Sequence, residues 1–401
     1  MPASQDAPPP WPVEVNEFRP QASLRAVISG VGSVRDRLAG ELQTQGVKRP
    51  LIVCGEHVSR SPAVDVVAST LGGTPLVYDG SRPHTPVEAV NRGAAVARDA
   101  EADAFIALGG SSAVDCAKGI AVLVSTGTTD VTDLSPLEFG QLAEAAQPPT
   151  GRAFPLVSIT TTLSFAEFLP FWGARHASIR RKLPYADQGA VLRTIFLDGE
   201  MAAYTPAQVW VETGVKALDD AVSAFCRAHR SEPFLDPVLI EAIAALDAWL
   251  PRSSETGQAD IRQQVLIATW MTKMGLPRLS RPSAPGWFST SARHALGGIY
   301  ELPHGVGSCV ALGPGLRYHA AATRPRQEQL RRALGWPTAE EGEAPLGPGA
   351  ARLLGELGVP TTLTQAGVDT GRLDDVVTNI LAESPSLGSR EQIGAVCSQM
   401  V

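Results

Sequence analysis

Residues 103–119 read Asp-Ala-Phe-Ile-Ala-Leu-Gly-Gly-Ser-Ser-Ala-Val-Asp-Cys-Ala-Lys-Gly, and that order of residue types suits phosphate binding. An apolar run, Ala104 to Leu108, breaks at Gly109-Gly110-Ser111-Ser112, and helical spacing starts at once with Ala113, Val114, Ala117 and Lys118. The pattern is a strand, a small-residue turn and a helix N-terminus. Two glycines leave room for a polyanion beside the backbone, where a Cβ would block it. The first N–H groups of a helix lack intrahelical partners and carry partial positive charge, which favours a phosphate. The segment reads as a cradle for a nucleotide pyrophosphate; a tight strand-to-helix turn without ligand is the alternative.

A second group of reactive residues lies far along the chain. His294 and His304 stand ten residues apart in His-Ala-Leu-Gly-Gly-Ile-Tyr-Glu-Leu-Pro-His-Gly, flanking a Gly-Gly pair that suits a bend. As proton donors near neutral pH they are the best candidates in the sequence, against a purely structural role. Arg180-Arg181-Lys182, with His176 before it, is the dense basic cluster of the chain. It suits an acidic substrate, a 2′-phosphate or a solvated hairpin tip. Phe171, Trp172, Trp287 and Phe288 either line an apolar pocket or pack in a core.

Residues 103–118 resemble the GGGSxxDxAK element of the iron-containing alcohol dehydrogenase superfamily, which includes the maleylacetate reductases, and residues 294–305 resemble its HxxGxxxxxPHG element. The resemblance runs from about Ala22 to Thr362. It implies a Rossmann-like parallel-sheet domain followed by a helical domain, an active site in the cleft between them, and NAD(P) as cofactor. The glycine element would bind the pyrophosphate through Gly109, Gly110, Ser111 and Ser112, with Ser111 in place of the third glycine. Asp115 and Lys118 match the family's Asp and Lys; an ordinary i, i+3 surface pair is the other reading. Residues 159–170 look like the family's second cofactor segment in its maleylacetate reductase form. Thr161 and Thr162 take its threonines, Glu167 its Glu and Pro170 its Pro, while Phe165 and Ala166 replace a glycine and a serine. NAD-using members carry a TD pair after the second strand; Cys54-Gly55 stands there in this chain, with His57 and Arg60 just beyond. A carboxylate at that place accepts the ribose 2′-OH and repels a 2′-phosphate, so its loss leans towards NADP.

Metal-dependent members hold a divalent ion through an Asp and a His four apart on one helix, a His four residues before HxxG, and the His of PHG. Such i, i+4 spacing puts two ligands on one helix face. Counted from Thr213-Gly214, the corresponding residues are Lys216, Asp220, Thr290 and His304. One imidazole and one carboxylate beside an ammonium fall short of about three protein ligands, so no metal is expected. Lys216 would take over part of a Lewis acid's work by stabilising a developing alkoxide, with Asp220 holding it in place. A helix-surface Lys/Asp pair is the alternative. The resemblance therefore implies a metal-independent NAD(P)H-dependent oxidoreductase acting on a carbonyl or alcohol of a small metabolite, an acidic one among the candidates, with Lys216, His294 or His304 as proton donor. A lyase, cyclase or dehydratase on the same fold, and a non-catalytic dinucleotide-binding protein, are the rival readings.

The elements that must position these residues follow from periodicity. Short β-type runs at 50–54, 75–78, 104–108, 155–159 and 194–197 alternate with helical spacing at 34–45, 62–71 and 86–100, which implies a mostly parallel sheet. Beyond Leu197 the pattern turns helical, at 205–227, 237–248, 260–274, 306–322 and 349–357. The expected organisation is a tail over 1–20, a dinucleotide-binding α/β domain over 21–198 and a helical catalytic domain over 199–401. Residues 324–348, rich in Pro, Gly, Glu and Arg, read as an exposed helix and loop. With 401 residues, 44% of them hydrophobic, the chain can bury a large core. No apolar run approaches the roughly 20 residues that span a bilayer, and the N-terminus lacks a signal peptide's basic and apolar regions. A net charge of −7 argues against nucleic acid as a partner. Five scattered cysteines without a CxxC read as buried thiols in a reducing cytoplasm. A homodimer is the expected assembly.

Overall fold

The computed structural model describes residues 16–18, 24–137, 151–164, 166–169, 171–179, 181–187, 191–228, 235–254, 258–273 and 286–401. Most of the expected tail, together with Phe165, Pro170 and Arg180, lies outside the described residues. The chain divides into two compact units, Trp11–Thr205 with Thr256–Ile267, and Pro206–Glu255 with Ala268–Val401.

The first unit is built on a seven-stranded sheet. Its strands are β1 (Asn16–Phe18), β2 (Ala26–Ser29), β3 (Pro50–Gly55), β4 (Leu76–Ser81), β5 (Ala104–Gly109), β6 (Leu156–Thr160) and, after a separate hairpin, β9 (Thr194–Leu197). They lie in the order β1-β2-β9-β6-β5-β3-β4. Only the β1–β2 pairing is antiparallel; the other five are parallel. The hairpin is β7 (Phe171–His176) against β8 (Arg181–Ala186). Strand β5 sits in the middle of the sheet with all six residues buried. That explains its unbroken apolar run, since a parallel strand covered on both faces cannot alternate. From β4 the chain crosses back to the far side of β3 and enters β5. At such a reversal the loops after two neighbouring strands part, and ligands of open α/β sheets bind there. The residues at this point are Gly55 and Gly109.

Residues 256–267 group with the sheet unit although they open the helix Ala259–Thr272. The side-chain amide of Gln263 donates to the Leu197 carbonyl and Ser29 Oγ and accepts from the Gly199 N–H, while Arg262 donates to the Ala202 and Thr205 carbonyls. These bonds satisfy the backbone where β9 gives way to the helix Gly199–Ala203.

The second unit is helical, with Ala207–Cys226, Leu235–Trp249, Phe288–Tyr300, His304–Leu334, Gly347–Leu357, Leu373–Glu383 and Arg390–Ser398. Two expectations need correcting. The helix expected at 306–322 runs from His304 to Leu334 through Pro314 and Pro325, so the exposed loop begins only after it. Burial of Val306, Cys309, Val310, Leu316 and Leu330 outweighs the hydrogen bonds the prolines remove. The Gly-Gly pair makes no bend. Gly297 and Gly298 lie inside the helix Phe288–Tyr300, and the chain turns at Glu301, which takes φ 59°. No helix among the described residues is long and apolar enough to cross a membrane.

Candidate active site

On the sheet unit, the strand-turn-helix reading holds in detail. Gly109 ends β5 with φ 142°, a conformation that disfavours any side chain. Gly110 caps the helix Ser111–Thr126, and no side chain hydrogen-bonds to that cap. The N–H of Thr161 donates to the Gly109 carbonyl at 3.1 Å, and a Cβ on Gly110 would stand 2.7 Å from Thr162 Oγ1. Gly109, Gly110, Ser111, Ser112, Thr161 and Thr162 therefore gather at one edge, and Gly55 ends the neighbouring strand β3. The first helical turn, uncapped by protein side chains and lined by small residues, fits a pyrophosphate. Thr85 Oγ1 approaches the Ser112 carbonyl at 3.5 Å.

Asp115 and Lys118 are buried and do not form the surface pair considered from the sequence. Lys118 Nζ donates to the carbonyls of Ala166, Leu169 and Phe171 at 2.8, 2.7 and 3.2 Å. Burial pulls its ammonium down to about 8, against the pull of Asp115 and Glu167. These bonds tie the segment after Thr162 to the helix Ser111–Thr126. Asp115 pairs with Lys182 at 2.7 Å, which ties the same helix to β8. Lys182 thus belongs to the packing of the hairpin. Trp172 packs the same way, buried and stacked on Tyr185 at 4.8 Å.

On the helical unit, the reactive residues gather because three helices touch through glycine. A Cβ on Gly305 would lie 2.8 Å from the Glu212 backbone, and one on Gly307 would lie 2.8 Å from Arg293 Cβ. These close approaches bring the N-terminus of His304–Leu334 against Ala207–Cys226 and Phe288–Tyr300. Lys216 Nζ donates to Asp220 Oδ2 at 2.8 Å, and Arg293 Nη2 donates to Asp220 Oδ1 at 2.6 Å. Arg293 Nη1 also reaches Asp219 Oδ2 at 3.2 Å, and Asp219 accepts from Ser289 Oγ at 2.5 Å and Ser308 Oγ at 2.9 Å. The Lys216 and Asp220 side chains are only 11% and 3% exposed, so theirs is no helix-surface pair. His294 Nδ1 lies 2.9 Å from Glu383 Oε1, and its ring centroid is 5.3 Å from that of His304.

Charge is unevenly matched in this network. Burial lowers the Lys216 ammonium to about 8, although Asp220 opposes the shift. Burial works to raise Asp220 as well, but Arg293, Lys216 and Lys273 outweigh it and hold the carboxyl well below its usual range. In Asp219 burial wins over Arg293 and raises the pKa. Among the described residues, no three His, Cys, Asp or Glu side chains gather as a metal-ligand set. Arg293, Asp219, Ser289, Ser308 and Glu383 escaped the sequence reading. For three of them a signal existed. Arg293 precedes His294, and Ser289 lies one helical turn before Arg293 on the same face; Asp219 stands beside Asp220.

Comparison with known proteins accounts for both halves. Residues 25–198 match the family model described as iron-containing alcohol dehydrogenase, and residues 210–400 match the C-terminal model of the Fe-containing alcohol dehydrogenase family. Lactaldehyde reductase of Escherichia coli K12 is 25% identical over 357 residues, covering 85% of this chain and 90% of the relative. Maleylacetate reductase of Sphingobium indicum is 26% identical over 338 residues, covering 83% and 85%. The crystal structure of maleylacetate reductase from Agrobacterium tumefaciens superposes with a TM-score of 0.71 at 21% identity, covering 96% of this chain and 97% of that one. With the parallel sheet, the helical unit and both motifs in place, the chain belongs to the iron-containing alcohol dehydrogenase family of oxidoreductases.

Proposed function

We propose that this protein is a metal-independent, NAD(P)H-dependent carbonyl reductase in which the Lys216 ammonium does the work its relatives assign to a divalent ion. The observation that carries the reading is the double occupation of Asp220: one carboxylate oxygen accepts from Lys216 and the other from Arg293. A carboxylate already shared by two protein cations, beside an ammonium and with Thr290 as the next candidate, does not fit a divalent ion. The residues of the turn do fit a dinucleotide. Gly109, Gly110, Ser111 and Ser112 would hold the pyrophosphate at the helix N-terminus, with Thr161 and Thr162 beside it. When bound, the reduced nicotinamide supplies the hydride.

The rest falls to the chain's own side chains. Lys216 donates a hydrogen bond to the carbonyl oxygen and strengthens it as negative charge develops there. With its pKa near 8, the ammonium is poised to pass its proton to the resulting alkoxide and recover another from solvent. Asp220 and, through it, Arg293 fix the position of that ammonium. His304 stands beside His294, which Glu383 orients. For the cofactor's 2′ group, NADP is the preferred form. The strand end at Gly55 carries no carboxylate, and Glu56 beside it is neutralised by Arg60 at 2.6 Å and Arg82 at 3.6 Å, which weakens repulsion of a 2′-phosphate. The test is consumption of NADPH and NADH with a panel of aldehydes, before and after exhaustive chelation. Activity that vanishes with the chelator and returns with iron or zinc would sink the proposal.

A further inference from the structure

Burial draws two lysines of this chain down to about 8, Lys118 and Lys216, yet their surroundings ask opposite things of them. Lys118 Nζ donates to the carbonyls of Ala166, Leu169 and Phe171, which takes all three N–H bonds of an ammonium. A neutral amine has only two, so losing the proton would leave a carbonyl unmet. The geometry at Lys118 demands the ammonium. Lys216 faces a carboxylate that does not depend on it. Asp220 Oδ2 accepts from Lys216 at 2.8 Å, while Oδ1 accepts from Arg293 at 2.6 Å. Once Lys216 is neutral, Asp220 keeps its guanidinium, and the amine still has N–H bonds to donate beside an available lone pair.

The charges around Lys216 point the same way. Asp220, Arg293 and Asp219 act on it directly, and Lys273 adds its charge at Asp220. Three cations thus face at most two carboxylates, and a proton lost from Lys216 leaves Arg293 and Lys273 against Asp219 and Asp220. A lysine desolvated beside another cation is the setting in which an amine becomes a nucleophile near neutral pH. Access also favours it. The Lys216 side chain keeps 11% exposure, against 3% for Asp220 and 6% for Arg293.

We infer that Lys216, as the neutral amine, adds to the substrate carbonyl and forms a Schiff base, which gives the protein a second, cofactor-independent activity on aldehydes: exchange of the hydrogens on the carbon next to the carbonyl. The inference rests on the function proposed above for the placement of a carbonyl at Lys216. The nitrogen lone pair forms the C–N bond, and the carbonyl π pair moves to oxygen, which takes a proton from solvent. The nitrogen returns one proton, leaving a neutral carbinolamine. Its hydroxyl is protonated and departs as water while the nitrogen lone pair closes the C=N bond. The resulting iminium carries the same charge as the ammonium, so Asp220 again faces two cations. Water then removes a proton from the adjacent carbon, the C–H pair shifts to make an enamine, and protonation by solvent reverses the step. Hydrolysis releases the aldehyde, and nothing is oxidised or reduced. The ammonium remains the acid of the reduction; the two roles belong to its two protonation states.

The experiment incubates the full chain at pH 8, without nucleotide, with butanal and cyanoborohydride, which turns an imine into a stable secondary amine. Peptide mapping by mass spectrometry then locates the added butyl group among the five lysines, Lys48, Lys118, Lys182, Lys216 and Lys273. An ordinary lysine near 10.4 is neutral in under about 1% of molecules at that pH, so Lys216 should be labelled roughly tenfold or more faster than the exposed Lys48. Lys118 should stay unlabelled. In heavy water, butanal should take up deuterium beside its carbonyl on the order of tenfold faster with wild type than with Lys216→Arg, which keeps a cation but cannot form the imine. If Lys216→Arg fails to fold, the label distribution in wild type decides alone. Labelling led by Lys48, or of Lys118 at the rate of Lys216, overturns the inference, as does deuterium uptake unchanged in a folded Lys216→Arg. Labelling confined to Lys216 in a protein that oxidises neither NADPH nor NADH with any aldehyde would refute the proposed function and leave this inference standing.

Discussion

Replacing Lys216 by Met separates catalysis from structure, because the hydrogen bonds around Asp220 are divided between two cations. Without Lys216, Asp220 Oδ1 still accepts from Arg293 at 2.6 Å, so the carboxylate does not become a buried, uncompensated charge. The loss on Oδ2 is one charge-assisted hydrogen bond, roughly 1.5–3 kcal/mol. Relief of the burial that holds the ammonium at about 8 offsets part of it, and a methionine of similar length fills the space. The net change in stability should stay below about 2 kcal/mol, a shift in Tm of a few degrees. Loss of a donor aimed at a developing oxyanion has a larger effect on the reaction, about a hundredfold or more in kcat, or roughly 2.7 kcal/mol. The assay is steady-state oxidation of NADPH from pH 6 to 10, with cofactor affinity measured separately by fluorescence. In wild type, kcat should fall as pH rises through about 8, since only the protonated amine donates. The variant should lose that alkaline limb along with the activity while binding cofactor as before. Full turnover in Lys216→Met, or an unchanged alkaline limb in what activity remains, would refute the reasoning and move the search for the acid to His294.

Other outcomes follow from the same geometry. Gly110→Val should weaken dinucleotide binding about tenfold, on the order of 1.4 kcal/mol, because the added Cβ lies 2.7 Å from Thr162 Oγ1; unchanged affinity in a folded variant would remove the nucleotide assignment of the turn. Elemental analysis should find iron and zinc well below one per chain, whereas a tightly held ion lost together with Asp220→Asn would overturn the reading of Lys216. Acid should destabilise the helical unit through His319. The folded chain holds this imidazole at about 4 while the unfolded chain protonates near 6.5, so stability falls as pH drops between those values, on the order of 3 kcal/mol in all. In His319→Gln, thermal melts from pH 7 to 4 should show a flatter acid limb, and an identical limb would count against that assignment.

Sequence alone determined the parts of this protein that depend on neighbours along the chain. The turn at Gly109–Ser112 was legible because a buried parallel strand is uniformly apolar and a helix start requires small or polar residues. The alternation of strands and helices up to Leu197 and the helical pattern after it were legible for the same reason, through period. The proposed replacement of metal ligands at Lys216, Asp220 and Thr290 rests on the resemblance to the family, read through spacing. What depended on distant residues was not legible. The reach of Lys118 to three carbonyls, the pairing of Asp115 with Lys182, and the hold of Arg293 on Asp220 join residues 48 to 73 positions apart. No periodicity encodes such pairs. The sequence also suggested a bend at Gly297-Gly298, where packing demanded instead that Gly305 and Gly307 let three helices touch. Only the tertiary structure decided which glycines are needed for contact, because the need for a missing Cβ is set by what lies across the gap.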